Sequence, residues 1–243
     1  MIAVVTAGGR VDGEYASAAG TTVKALAPVR GETMLARVTD ALRGAGIGRI
    51  ALVGGGEVRA ACDDDVRFVD ESASGAENVL RALSAWPDDD EPLLYATSDM
   101  PYVTAEAVRD FVDRAPADAL AIALCDHGAF VNRFPGAPPF GIALAGERVV
   151  NGGVFRIPAG ARSAVARLAA ELFDARKRPW RMAGLVGPLA LLRFALGRLS
   201  VADLEAMAQR LLGVRGVAVR GCAPELGFDA DGAAEYRYAC SRD

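Results

Sequence analysis

Short runs of small and β-branched apolar residues recur through the first half of the chain and constrain its fold more than any other feature. They are Ile2–Val5, Arg49–Gly54, Val66–Val69, Pro92–Thr97 and Ala119–Leu124. The first, Ile2-Ala3-Val4-Val5, is apolar throughout and reads as a strand covered on both faces. Between the runs lie segments with apolar residues at helical spacing: Thr33–Arg43, a short one around Val58–Ala61, Gly75–Trp86 and Thr104–Arg114. Thr33 suits an N-cap, and Gly44 or Gly46 a stop. Strand and helix alternating at this interval predict an α/β fold, a mainly parallel sheet with helices on both faces.

Beyond Leu124 the alternation lapses. Phe134–Pro139 reads as loop, and Ile142–Leu144 and Arg148–Val150 read as a hairpin around Ala145-Gly146-Glu147. Asn151-Gly152-Gly153 reads as a turn before the strand-like Val154–Ile157. From Ala161 to Leu212 the pattern is helical; Ser200-x-x-Asp203 resembles a capping box and Gly213 suits the C′ position. A strand at Val217–Val219 and a last short helix close the chain. No repeat, low-complexity tract or linker divides it, so one domain with a helical insertion at about 161–213 is expected.

A net charge of −4 provides no basic field to gather nucleic acid. The start, MIAVVTAGG, has no basic n-region, and no apolar run approaches the roughly 20 residues of a spanning helix. Cys62, Cys125, Cys222 and Cys240 are scattered without a C-x-x-C pair and are expected to be reduced, in a cytoplasmic protein. His127 is the single histidine, which excludes sites needing two. The chemistry must therefore rest on carboxylates, lysine and backbone dipoles, with or without an added metal ion.

In open α/β sheets ligands bind at the carboxyl ends of the strands. The first strand runs into Ala7-Gly8-Gly9-Arg10, where glycines let a ligand approach the backbone and aim N–H groups at an anion. After a long small-residue loop comes Lys24, a point charge suited to phosphate. The pattern is neither G-x-G-x-x-G nor G-x-x-x-x-G-K-[ST]. Asp99 follows the fourth strand and suits Mg²⁺, which takes one or two carboxylates plus phosphate oxygens. Asp229 and Asp231 are two apart, so on a strand both face one way. One is expected to complete the metal site and the other to make an Asx turn. Asp88-Asp89-Asp90 reads as a solvated loop.

The layout VVTAGGR…VKALAPVRGETML, then SGAENVLRAL, LLYATSDMP and GFDADGAAEY, resembles the MobA-like nucleotidyltransferase superfamily, which includes sugar-nucleotide pyrophosphorylases and cytidylyltransferases. The resemblance implies a Rossmann-like sheet of the GT-A type. It implies that Ala7, Gly8 and Gly9 wrap the phosphates beside Arg10, that Lys24 neutralises the triphosphate, and that Gly75 and Asn78 line the nucleoside pocket. Asp99, with Asp229 or Asp231, would hold Mg²⁺, and Asn151-Gly152-Gly153 would meet the acceptor. The implied reaction moves a nucleoside monophosphate from a triphosphate to a phosphorylated small molecule, releasing pyrophosphate. Two features depart from the family: Val11–Val23 is longer than the usual loop and lacks its R-M-G, and the helical insertion has no counterpart in the guanylyltransferase.

Two other readings stand beside this one. Asp229-Ala230-Asp231 has the D-x-D spacing of a glycosyltransferase using a sugar nucleotide, and a nucleotide-sensing domain without catalysis would keep the fold; Lys24 and Asp99 together favour a triphosphate enzyme. Within the insertion, His127 being elsewhere, the notable stretch is Arg176-Lys177-Arg178-Pro179-Trp180-Arg181 and the apolar run after it, 176–196. A buried hairpin or homodimer contact ranks first there, a lid over the acceptor second and membrane contact third.

Overall fold

The computed structural model describes residues 1–175 and 179–242. The chain begins with β1 (Ile2–Thr6), then α1 (Gly13–Ala19), a 3₁₀ turn at Lys24–Leu26, and the two-residue strands β2 (Pro28–Val29) and β3 (Glu32–Thr33). There follow α2 (Met34–Gly44), β4 (Arg49–Gly54), α3 (Gly56–Ala60), β5 (Arg67–Asp70), α4 (Gly75–Leu83), β6 (Leu93–Thr97), α5 (Ala105–Arg114), β7 (Leu120–Asp126) and α6 (His127–Arg133). The remainder comprises β8 (Ile142–Leu144), β9 (Glu147–Ile157), α7 (Arg162–Ala175), α8 (Pro179–Val186), α9 (Pro188–Ala195), α10 (Val201–Leu212), β10 (Gly216–Arg220) and α11 (Ala233–Ser241).

The main sheet runs β10-β7-β9-β6-β1-β4-β5, with β8 paired to β9. β6, β1, β4 and β5 are parallel, as are β7 and β10, while β9 runs antiparallel between β6 and β7. Alternate residues of the buried strands enter different cores. Ala3, Val5, Ile50, Leu52, Leu94 and Ala96 pack with α2 and α5 on one face. Ile2, Val4, Ala51, Val53 and Leu93 pack with α4 and α7 on the other.

Local signals place most helix ends. The Thr33 and Thr104 hydroxyls accept from the N–H groups of Ala36 and Ala107, and Ser200 with Asp203 forms the full capping box of α10, closed by left-handed Gly213. Three local readings need correction. The segment Val11–Val23 contains α1, which ends at left-handed Gly20. The alternation, expected to lapse beyond Leu124, continues for one more helix: His127 opens α6, capped by the Asp126 carboxylate, which accepts from Ala129 N–H at 2.9 Å.

The third concerns Asn151-Gly152-Gly153, which lies inside the eleven-residue strand β9 and makes no turn. A Cβ on Gly153 would stand 2.5 Å from Thr97 Oγ1 and 2.7 Å from Met100 Sδ, and one on Gly152 would stand 2.7 Å from the Ala123 Cβ. The glycines therefore let β9 lie close to the strand ends carrying the site, and their freedom of turn is unused. Gly153→Ala is expected to cost about 1–3 kcal/mol by overpacking, measured by denaturant unfolding of the variant against the parent.

Helices α7 to α10 occupy the span of the expected insertion. α7 packs on α4, and α10 packs on β10. α9 has no buried residue, so the buried-hairpin reading of its apolar run does not hold: Leu189, Leu192, Phe194 and Leu196 are half exposed or more. Arg176, Lys177 and Arg178 lie outside the described residues. Among the described residues no helix is long and apolar enough to cross a membrane.

Candidate active site

Parallel pairing of β1 with β4 and β6 in matched register brings Thr6, Val53 and Thr97 to one edge. Just beyond it opens a cleft of about 510 Å³. Gly8, Gly9, Arg10, Lys24, Gly75, Asn78 and Asp99 all border it, so seven of the residues expected from sequence share one cavity. Ala7, Asp229 and Asp231 do not line it: Ala7 is fully buried, with its N–H spent on the carbonyl of Val53 at 2.8 Å, and the two carboxylates stand on the Asp99 side of Lys24.

Lys24 reaches the cleft because its long approach folds back on itself. Arg10 and Val23 form an antiparallel bridge, Val11 N–H donates to Thr22 O at 2.9 Å, and Lys24 N–H donates to Gly9 O at 2.9 Å. The excursion carrying α1 is thereby closed at its base, and Lys24 stands beside Gly9 although it is far along the chain. Its Nζ donates to Asp99 Oδ2 and, at 2.5 Å, to Asp231 Oδ1. Burial works against the ammonium charge, but Asp99 and then Asp231 outweigh it and hold Lys24 above the ordinary lysine range.

The segment Asp229-Ala230-Asp231 is not a strand, contrary to the alternation argument; it is an extended loop before α11. Its two carboxylates still arrive together. Ala230 N–H donates to Asp99 O at 2.9 Å, which ties the loop to the end of β6. Asp231 is exposed and turns to Lys24, whereas Asp229 is nearly buried. Burial, and then repulsion from Asp99 and Asp231, push the Asp229 carboxyl up to about 8. Asp229 Oδ1 and Asp99 Oδ1 are both buried without a hydrogen-bond partner. Buried polar atoms are nearly always paired, so two orphaned carboxylate oxygens on neighbouring residues are a donor set that a cation would satisfy.

Packing supplies the precision of this loop. Phe228, fully buried, meets Tyr102, Phe134 and Phe140 at ring-centroid distances of 4.9, 5.0 and 4.9 Å. From the other side α1 leans on α11, where Tyr15 stacks on Tyr236 at 4.9 Å and its hydroxyl donates to Ala230 O at 2.9 Å. Burial, and then Asp99, hold that hydroxyl protonated well above the usual tyrosine range. Tyr15→Phe is expected to lose about 0.5–1.5 kcal/mol of stability, measured by denaturant unfolding against the parent.

Sequence reasoning missed three contributors. Glu71, just after β5, lies across Gly8 and Gly55: a Cβ on either would come within 2.2 or 2.6 Å of its carboxylate. Arg10 bonds Glu71 at 2.8 Å and so serves the rim of the cleft, with Glu57 3.6 Å away. Asn78 accepts from Ser72 N–H at 2.6 Å and donates to Ser72 O at 3.1 Å, so it fixes the Glu71–Ser72 wall. Tyr95, its hydroxyl 2.8 Å from Thr6 Oγ1, forms part of the floor. For Glu71 the signal was available: it follows a strand at the carboxyl edge, as Asp99 does. Tyr15 and Tyr95 carried none.

A glycine loop, a returning lysine and convergent carboxylates on a mainly parallel sheet make this a nucleotidyltransferase domain. The chain belongs to the MobA-like NTP transferase family, whose domain matches residues 3–212. A hypothetical transferase from Thermus thermophilus is 33% identical, with 97% of this chain and 100% of that one covered and a TM-score of 0.83. Rv0371c from Mycobacterium tuberculosis, in complex with manganese, is 22% identical over 100% and 98% of the two chains, with a TM-score of 0.55. The 4-diphosphocytidyl-2C-methyl-D-erythritol synthase of Anaerococcus prevotii is 12% identical over 98% and 95%, with a TM-score of 0.57. The last two likenesses speak to the fold alone. No curated protein sequence matches the chain.

Proposed function

We propose that the protein transfers a nucleoside monophosphate from a nucleoside triphosphate to a phosphorylated acceptor, with Mg²⁺, releasing pyrophosphate. The observation that carries this reading is the pair of buried, unpartnered oxygens on Asp99 and Asp229 beside Lys24 and the Gly8-Gly9 loop. Among the described residues no group of three or more His, Cys, Asp or Glu side chains could hold a metal by itself. Two carboxylates suffice for Mg²⁺ when phosphate oxygens complete its shell, so the donor set fits.

Asp99 and Asp229 would hold the ion, with Asp231 exchanging between it and Lys24. When bound, the ion supplies positive charge that draws in the triphosphate and stabilises charge developing on its oxygens. Gly8 and Gly9, lacking a Cβ, would let the triphosphate approach the backbone, and the first turn of α4 at Gly75 borders the same cleft. Lys24 neutralises the leaving pyrophosphate, and Asn78 bounds the nucleoside end. An acceptor phosphate oxygen attacks the α-phosphorus in line; no serine or histidine needs activation because positioning and neutralisation lower the barrier.

The test incubates the full chain with each nucleoside triphosphate, Mg²⁺ and pools of phosphorylated small molecules, and follows pyrophosphate. Release with one base and one pool, stopped by chelation, is expected. No release from any combination, with binding of a sugar nucleotide instead, would sink the proposal.

A further inference from the structure

Two apolar cavities lie beside the triphosphate cleft. Val79 and Tyr95 form its wall and also line a second cavity of about 280 Å³, roofed by Leu168 and Leu172 of α7. That cavity shares Leu120 and Phe155 with a third, of about 510 Å³, roofed by α9 and α10. The three follow one face of the sheet, and the helices of the insertion cover the two distal ones.

The distal walls are apolar. In the third cavity the polar side chains are Asn151 and Glu205, and the Glu205 carboxylate is spent on Ala218 N–H at 2.9 Å. Asn151 marks the end nearest the chemistry. β9 pairs Val154 with Ala96 of β6 and Asn151 with Leu124 of β7, so Asn151 lies three residues past Val154, level with the chain leading from β6 to Asp99. From Leu124 back to Leu120 the groove floor runs four residues along β7, about 13 Å. At its mouth Phe194 and Leu204 are 50% and 41% exposed, large apolar side chains that a soluble lid has no reason to present.

Resting on the nucleotidyl-transfer reading above, we propose that the acceptor is an amphiphile: a phosphate monoester whose phosphate lies by Asn151 and whose extended apolar body lies in the groove beneath α9 and α10. The position of Asn151 argues for this occupant, because the register of β9 sets this polar end of an otherwise apolar groove level with the segment leading to Asp99. A strongly hydroxylated sugar phosphate would leave its hydroxyls against Leu120, Ile122 and Phe155 without partners, a costly arrangement.

The test is calorimetric titration of the full chain, in Mg²⁺ buffer, with butyl phosphate and decyl phosphate below the micellar range. Each fully buried methylene multiplies affinity by about fourfold. Decyl phosphate is expected to bind at least tenfold more tightly than butyl phosphate. Phe194→Asp and Leu204→Asp, both at exposed positions that leave the core intact, are expected to weaken decyl phosphate far more than butyl phosphate. Equal affinities in the parent protein, or variants that keep the full preference, overturn the groove. Pyrophosphate formed with short sugar phosphates but never with decyl phosphate also overturns it and leaves nucleotidyl transfer standing. Chain-length-dependent binding without pyrophosphate from any triphosphate supports the groove and removes the transfer reaction.

Discussion

Asp99→Asn is expected to lower the rate of pyrophosphate release by about a thousandfold while changing stability by no more than about 1–2 kcal/mol. The two halves of this expectation have different origins. Asparagine keeps the size of the side chain and the carbonyl that holds Ala230 N–H, since that bond uses the main chain. Lys24 keeps Asp231 as a partner. The variant also relieves the repulsion that Asp99 exerts on Asp229. What disappears is a carboxyl oxygen that is buried and without a partner, the one the proposed reaction assigns to the metal ion. Turnover by steady-state pyrophosphate assay and unfolding by denaturant separate the two effects. Near-parental turnover would remove Asp99 from the site.

Asp229→Asn is expected to make the protein more stable and less active. Asp229 is nearly buried, and its carboxyl is pushed from 3.8 to about 8, by burial first and then by Asp99 and Asp231. A raised folded-state value means that the folded protein holds a proton that the unfolded chain has released. The stability this proton linkage provides is fully present below about pH 4, declines above it, and is lost as pH rises through about 8. Asparagine has no such titration. In metal-free buffer the variant should match the parent near pH 4 and exceed it at pH 8 by on the order of 2–5 kcal/mol. Mg²⁺ should narrow that gap by stabilising the parent alone. Catalysis should fall by about a hundredfold or more. Melting curves from pH 4 to 9, with and without Mg²⁺, provide the check; a variant less stable than the parent at pH 8 would contradict the buried-charge account.

What could be read from sequence was what burial writes into it. The strands β1, β4 and β6 are covered on both faces, so their apolar runs announced the parallel sheet, and the caps at Thr33, Thr104 and Ser200 were legible because each hydroxyl has a local task. β9 was misread because Gly152 and Gly153 have the composition of a turn while answering a steric demand from Ala123, Thr97 and Met100, residues distant in sequence. The Asp229/Asp231 pair was selected on an alternation argument that does not apply, since the loop is not a strand; what unites these residues with Lys24 is the tie from Ala230 to Asp99 and the aromatic packing of Phe228. Tyr15 and Tyr95 act through space on residues far along the chain, and spacing carries no trace of that.

The position of β9 has one more consequence. In the sheet it stands between the parallel block β6-β1-β4-β5, which carries the triphosphate cleft, and the pair β7-β10, which floors the groove. It thus works as a seam: along the sheet, main-chain bonding between the two halves passes through its eleven residues. The nucleotide half can keep its loops, lysine and carboxylates while the other half changes its helices and its groove. A fold divided in this way can be refitted for a new acceptor without disturbing the machinery that handles the triphosphate, and exchange of the segment carrying α7 to α10 between relatives is where such a refit would begin.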